Sequence, residues 1–433
     1  MKRLFKNIIV SILRFETKLI LQKYQPEIIA VTGSVGKTSA KDAIFEVIKN
    51  QGRVRKSEKS YNSEIGMPLT VIGAQNAWYS PLGWFSILLR GALLLVSHDR
   101  QYPHTLVVEA GADKPGDIGI FVQSVKPDIA VVTAVGEVPV HVEFFSGAEE
   151  VAREKAKLLA PLTSTDTAIL NYDDAVVCDM KEKTRGHVIT FGFGDGAYVR
   201  AEHYHIMYRK EGDRDIPEGI AFKVAYKGNN LPLRIFDTFG KHQVYAVLAA
   251  ISVGIAKDIN LIDVVSALQR YSSPPGRLKL IKGEKNTFIL DDTYNASPHA
   301  MHAALEVVRD IPAKRKIAVL GDMLELGRFT EQAHRAVAEY LTDTDVLITV
   351  GVRAKFIADE ARATGFDAKH IFEFDIAIDA GKKLEEILTE GDLVLVKGSQ
   401  SMRMERVVEE IMAEPERAGE LLVRQDKVWK NKK

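Results

Sequence analysis

Residues 28–40 read IIAVTGSVGKTSA, an apolar run that breaks on Gly33, Ser34, Val35, Gly36, Lys37, Thr38 and Ser39 before turning helix-forming. A strand that ends in a glycine turn and restarts as a helix aims successive backbone N–H groups at one point, where a phosphate chain can sit. In that setting Lys37 reaches the β- and γ-phosphates and the Thr38 hydroxyl is offered to Mg²⁺. Val31 stands where the longer G-x-x-x-x-G-K-[ST] pattern has its first glycine, so this is the shorter Thr-Gly-x-x-Gly-Lys-Thr form. The loop predicts one ATP or GTP site against the plainer reading of an incidental Gly-Lys turn. The reaction itself must come from residues elsewhere.

The elements that would position this loop are legible around it. From Glu27 to Tyr271, runs such as TLVVEAGA, DIAVVTAV and TAILNYDD alternate with helix-forming stretches, the pattern of an α/β domain around a mainly parallel sheet. Beyond Val188 the chain is richer in β-branched and aromatic residues, which predicts an antiparallel insertion or edge. SSPPGR at 272–277 reads as a stiff interdomain linker. After it, TFILDDTYN, KIAVLGDM, DVLITVG and DLVLVKGS predict a second, Rossmann-like α/β domain. The expected division is an N-terminal helix over 1–26, a central P-loop ATPase domain over 27–273 and a C-terminal domain over 274–433.

Bulk properties narrow the class. A chain of 433 residues exceeds what one core usually supports. Lys+Arg 58 against Asp+Glu 58 cancels, which removes bulk attraction to nucleic acid. Cys178 is the only cysteine, so there is no intramolecular disulfide and no thiolate metal cluster, as suits the reducing cytoplasm. In the first 24 residues Arg14, Glu16 and Lys18 interrupt the apolar run and no small-residue cleavage site follows, so the segment reads as an amphipathic helix. Leu4, Phe5, Ile8, Ile9, Ile12, Leu13, Phe15, Leu19 and Ile20 fill one half of its wheel, and Lys2, Arg3, Lys6, Arg14 and Lys18 the other. A second stretch from Trp78 to Ser97 has Arg90 as its only charge. Both stretches are open to two readings: packing on a domain core, or peripheral contact with the inner face of a membrane.

Four further clusters, YNSEIGMPLT (61–70), VVEAGADKPGDI (107–118), HVEFFSGAEEVAREKAK (141–157) and DDTYNASPHAM (291–301), join the phosphate loop in resembling the Mur ligases. AVLGDMLELG (318–327) and VLVKGSQSMRME (394–405) place the resemblance nearest the branch that adds D-alanyl-D-alanine. It runs from residue 27 to about residue 412. What it implies is an amide ligase that spends ATP: a substrate carboxylate attacks the γ-phosphate, and an incoming amine displaces phosphate from the acyl phosphate. A carboxylate approaching a polyanion needs cations and N–H donors focused on the transferring group.

By the same resemblance Lys37, Glu109, His141 and Lys155 form the catalytic set, and Thr38, Glu109, His141 and Lys155 serve Mg²⁺. Lys155 is expected as a carbamate formed with CO₂, which turns a cation into an anionic metal ligand. Arg277 is expected near the nucleotide phosphates, Asp292 at the ribose hydroxyls and Asn295 on the same turn; Asn62, Lys397 and Ser399 are expected at the substrates. Several positions depart from the family pattern. VGEVPVH is two residues longer before His141, Lys157 replaces a glutamate, and Ser63, Gln243, Ala246 and Ser297 stand where asparagines are usual. His242 reads equally well as a helix-start cap. Because residues from both sides of the linker meet one nucleotide, domain closure is implied.

Muramyl ligases usually begin with a separate UDP-sugar domain, and here the phosphate loop follows about thirty residues, so that domain is expected to be missing. The leading functional expectation is a monomer that adds D-alanyl-D-alanine to a UDP-muramyl tripeptide, acting on small molecules in peptidoglycan precursor synthesis. A related ligase for a different carboxylate, including a lipid-linked one, is the alternative. A module that keeps nucleotide without turnover is a third reading, and intact Lys37, Thr38, Glu109, His141 and Lys155 argue against it.

Overall fold

The computed structural model describes residues 2–58, 65–78, 80–136, 141–212 and 214–430; the side chains of Lys2, Arg3, Leu4, Phe5, Arg214, Lys427 and Val428 lie outside the description. The first sheet holds β1 (Glu27–Thr32), β2 (Val54–Lys56), β3 (Thr105–Glu109), β4 (Ile129–Val132), β5 (Thr167–Asn171), β6 (His187–Gly192), β7 (Val199–Glu211), β8 (Arg214–Tyr226) and β9 (Asn229–Phe236). Their order is β2-β3-β1-β4-β5-β6-β7-β8-β9. Pairs from β2 to β7 are parallel, and β8 and β9 add an antiparallel edge, as expected beyond Val188.

The uninterrupted apolar runs are strands covered on both faces. In β1, Ile29 and Val31 pack into a core with helices Lys37–Ile48, Lys241–Ala256 and Leu261–Leu268. Ile28 and Ala30 point the other way, into a core with Lys2–Tyr24, Gly66–Ile72, Pro81–Val96 and Asp117–Ser124. Successive side chains of a strand alternate sides, so a strand between two helical layers is apolar on both faces along its middle and carries polar residues only at its ends. Each such Ile or Val contributes about 1.5–3 kcal/mol by leaving water. β1 sits between β3 and β4, with Val31 opposite Glu109, so the loop leaving β1 emerges at the carboxyl edge next to Glu109. That edge is where ligands of open α/β sheets bind.

The second sheet holds β10 (Lys279–Gly283), β11 (Thr287–Asp292), β12 (Arg315–Gly321), β13 (Val346–Val350), β14 (Ile371–Phe374) and β15 (Asp392–Lys397), in the order β10-β11-β15-β12-β13-β14. All neighbours are parallel except β10 with β11. Helices Pro298–Asp310 and Lys355–Ala363 cover one face, and Ala377–Ile387 and Glu405–Ile411 the other. Register places Asp292 opposite Lys397 at the carboxyl ends of β11 and β15.

The crossing between the sheets is tied down. Gln243 Nε2 donates to Ser273 Oγ (3.0 Å) and to the Arg277 carbonyl (3.1 Å), Ser273 Oγ donates to that carbonyl (2.6 Å), and Gly276 N donates to Asp291 Oδ2 (3.0 Å). Among the described residues no helix is long and apolar enough to cross a membrane. The N-terminal helix buries Ile9, Leu13 and Ile20 in the core, yet leaves Ile8, Ile12 and Phe15 exposed.

Candidate active site

The loop after β1 owes its shape to two glycines. Gly33 has φ 145°, and a Cβ there would stand 2.0 Å from Thr133 Oγ1. Gly36 has φ 86° at the entry to helix Lys37–Ile48. Side chains at these positions would cost backbone strain and, at Gly33, a collision. Ser34 N donates to the Ala134 carbonyl (2.5 Å) and Thr133 Oγ1 to the Val35 carbonyl (2.6 Å), which moors the loop to the end of β4. Lys37 Nζ curls back over the loop and donates to Gly33 O (2.7 Å) and Ser34 O (3.4 Å). Desolvation lowers its pKa, and the Glu109 charge opposes that shift.

Ser34, Val35, Gly36, Lys37, Thr38, Ser39, Glu109 and His141 line one cavity of about 340 Å³, and Arg277, Asp292, Asn295 and Lys397 line it from the other sheet. The remaining expected residues stand apart from it. Gly33 lies under the loop. Lys155, buried on helix Ala148–Ala156, sits behind it and donates from Nζ to Gly33 O (3.0 Å). Ser399 Oγ accepts from Leu324 N (2.9 Å), which supports the turn that carries Glu325. Asn62 and Ser63 lie outside the described residues.

Several charges at the seam already have partners, and Glu109 is only partly provided for. Lys397 Nζ, buried, donates to Asp292 Oδ2 (2.6 Å) and Asn295 O (2.9 Å), so the carboxylate is oriented by an amine before any ligand arrives. Arg277 Nη2 donates to Thr38 Oγ1 (3.2 Å) across the seam, and its guanidinium lies 3.9 Å from the centre of the Tyr294 ring. His141, with φ 66°, places Nδ1 2.5 Å from Glu325 Oε2 and Nε2 3.4 Å from Asp113 Oδ1. The closer contact is at ion-pair distance without being aligned as a hydrogen bond, and the imidazole holds the Glu325 carboxyl below the usual range. Glu109 is buried, and its Oε1 has no hydrogen-bond partner among the described residues; Arg277 Nε across the seam is likewise unpartnered. An unpaired buried carboxylate oxygen is costly unless a cation or donor completes it.

Lys155 is the most strongly perturbed amine. Burial first, then the Lys37 cation, push its pKa well below the ordinary lysine range. Burial likewise lowers His242 to about 4, leaving a neutral imidazole. Its neighbour Gln243 spends its amide N–H groups on the interdomain crossing. Val35, Gly36 and His242 also border a larger cavity of about 880 Å³, lined further by Asp173, Tyr245, Ala246, His299 and Tyr340.

A phosphate-type loop on one sheet faces basic and acidic side chains from a second sheet across a polar seam. Residues 89–254 match the family model of the Mur ligase middle domain, and residues 276–400 that of the Mur ligase glutamate ligase domain. The chain belongs to the Mur ligase family. It is 28% identical over 406 residues to the UDP-N-acetylmuramoyl-tripeptide–D-alanyl-D-alanine ligase of Bacillus subtilis (strain 168), covering 92% of this chain and 78% of the relative. Against the enzyme of that name from Escherichia coli (strain K12) the identity is 27% over 398 residues, covering 90% and 77%. Among solved structures, MurF ligase from Thermotoga maritima in complex with ADP superposes with a TM-score of 0.75 at 25% identity, over 94% of this chain and 84% of that one. Folylpolyglutamate synthase from Thermotoga maritima shares the fold at a TM-score of 0.61 and 13% identity, over 96% and 95%.

A Mur ligase calls for Mg²⁺, and the side chains fit one in part. Among the described residues no three His, Cys, Asp or Glu groups converge as a complete cage. Mg²⁺ in phosphate-transfer sites takes one or two carboxylates and completes its shell with water and substrate phosphates, so Glu109, with Oε1 unpartnered among the described residues, meets the requirement. Asp113 and Glu325 escaped the sequence reading of this Mur ligase. Both sit in stretches quoted for the resemblance, but a carboxylate in ADKPGD or LELG looks like any turn residue. Only the left-handed His141 backbone, which swings the ring between them, gives either a role.

Proposed function

We propose that the chain is an ATP-dependent amide ligase of peptidoglycan precursor synthesis that adds D-alanyl-D-alanine to a UDP-N-acetylmuramoyl tripeptide. The observation that carries this is the single cavity in which Lys37 and Glu109 of one sheet face Arg277, Asp292 and Lys397 of the other. We assign it to the triphosphate. The tripeptide carboxylate attacks the γ-phosphorus, the bond to the β-phosphate bridging oxygen breaks, and ADP leaves with that electron pair. The amine of D-alanyl-D-alanine then attacks the acyl carbonyl; the carbon–oxygen bond to phosphate breaks and the amine loses a proton.

Each side chain has a part in these steps. Lys37, now curled on the loop carbonyls, is the cation for the terminal phosphates, and Arg277 reaches the same region from the second sheet. Asp292, held by Lys397, is the acceptor for ribose hydroxyls, with Asn295 on the same turn. Thr38, Glu109 and His141 are the groups that would hold Mg²⁺, whose charge would offset that of the phosphates. Lys155 supports the carbamate reading: a buried amine driven toward its neutral form attacks CO₂, forming an N–C bond and releasing a proton. The resulting anion would lie beside the loop.

The finer assignments belong to the same reading. We assign Asn62, Lys397 and Ser399 to the substrates, divide the chain at 1–26, 27–273 and 274–433, and read the protein as a cytoplasmic monomer that touches the inner face of the membrane. Lys37→Ala tests the centre of it. ADP formation by purified protein with tripeptide and D-alanyl-D-alanine should fall by about 10²–10³-fold, and turnover within about twofold of the parent would remove the phosphate-loop assignment.

A further inference from the structure

The helices Lys2–Tyr24 and Pro81–Val96 lie side by side over the sheet face opposite Lys37–Ile48. A Cβ on Gly91 would stand 2.2 Å from Glu16 Oε2. Lys23 Nζ donates to the carbonyls of Leu94 (3.0 Å), Leu95 (2.8 Å) and Ser97 (2.6 Å). The helices therefore run in the same direction, and the lysine closes the carboxyl end of its neighbour. Each buries one row: Ile9, Leu13 and Ile20 on the first, Trp84, Ile87 and Leu94 on the second.

On a helix facing water the opposite row is polar. Here it is apolar. Leu82 (82% exposed), Phe85 (67%), Leu89 (49%), Leu93 (53%) and Val96 (81%) recur at helical spacing along Pro81–Val96, and Ile8, Ile12 and Phe15 form a second exposed row on its neighbour. Charge in this region is one-sided although the whole chain balances 58 against 58. The first helix has six basic residues and one acid, Glu16, which is buried; the second has Arg90 and no acid.

We infer that this helix pair is a docking surface for an anionic phospholipid bilayer, with the Leu82-to-Val96 row among the acyl chains and exposed basic residues such as Lys18 and Arg90 at the headgroups. The inference rests on the peripheral membrane contact proposed above and names its surface and its lipid. A row without exposed carboxylates suits an anionic partner. Ser86 and Arg90 are the exposed hydrogen-bonding side chains of Pro81–Val96, so the face offers few polar groups that would specify a protein partner, and the one charge among them suits an anionic surface. At 16 residues the second helix is too short to cross a bilayer and lies flat in its interface.

The test is co-sedimentation of the full chain with vesicles of phosphatidylglycerol and phosphatidylcholine, and of phosphatidylcholine alone, beside the Phe85→Glu/Leu89→Glu variant. The parent should pellet with the anionic vesicles and much less with the neutral ones, and the variant should partition at least about tenfold more weakly. Both changed side chains are exposed, so the variant should keep the parent's melting profile. A parent that stays in the supernatant at low salt, or a variant that binds as well as the parent, overturns the inference. So does a dimer in light scattering that the variant dissolves, because a second copy would then own the face. Lipid-free phosphate release on the same preparations tests the ligase reading separately.

Discussion

The same amine type does different work at Lys37, Lys155 and Lys397, and the surroundings decide which. Lys397 is buried against a carboxylate, which keeps it a structural cation despite the desolvation that lowers its pKa. Lys155 is equally buried but meets a carbonyl on the loop and the Lys37 charge, so its surroundings favour the neutral amine. A neutral amine can take up CO₂, whereas an ammonium cannot. If the carbamate supplies an anion to the metal, Lys155→Ala should be nearly inactive, and a short carboxylate such as acetate should restore part of the activity by occupying the vacated volume. Phosphate release against acetate concentration reads this directly. Full activity of the alanine variant, or a failure of every short carboxylate to restore any, counts against the carbamate.

At the scale of elements, the buried Glu16 shows how two helices share a cost. Burial pushes its carboxyl up to about 7 from 4.5, and Oε2 has no hydrogen-bond partner among the described residues. Between those values the folded chain holds a proton that the unfolded chain has lost, so stability falls as pH rises through the window and the full cost is present above about 7. Glu16→Gln removes the titration. Its stability gain over the parent should be larger at pH 8 than at pH 5 by about 1–3 kcal/mol, measured by denaturant unfolding; equal gains at both pH values would show that Glu16 ionises freely.

The elements themselves were largely legible in the chain. TLVVE, TAILN and DLVLVK became strands because an unbroken apolar run bounded by turns has few other stable fates between helical layers. The site was legible only where chemistry and sequence spacing coincide, as in Gly33 to Ser39. The His141 contacts with Asp113 and Glu325, and the engagement of Gln243 with the interdomain crossing, join residues far apart in the chain. No local pattern encodes such distances. The exposed row on Pro81–Val96 was visible as an apolar stretch, but sequence alone left open whether it faced core or solvent.

At the scale of the molecule, the two sheets meet through unlike contacts at the crossing and at the cleft. Beside the hydrogen-bonded crossing, apolar side chains add to the join: Phe239 is buried in the core of the second sheet, and Ile206 of β7 packs against it. At the cleft it is polar, made by Arg277 to Thr38, His141 to Glu325, and Glu143 N to Glu325 O at 3.3 Å. A fixed crossing with a polar mouth can open at the mouth without exposing a core, and anionic phosphates between Lys37 and Arg277 would draw the mouth shut. A non-hydrolysable ATP analogue should therefore slow hydrogen exchange at the amides around Glu143 and Glu325, which touch each other only when the sheets approach. Arg277→Ala should abolish most of that protection and weaken nucleotide binding by about tenfold, the loss expected for a charge-assisted contact to phosphate. Identical exchange at these amides with and without the analogue would mean that the seam is rigid and that closure plays no part in bringing the two halves of the site together.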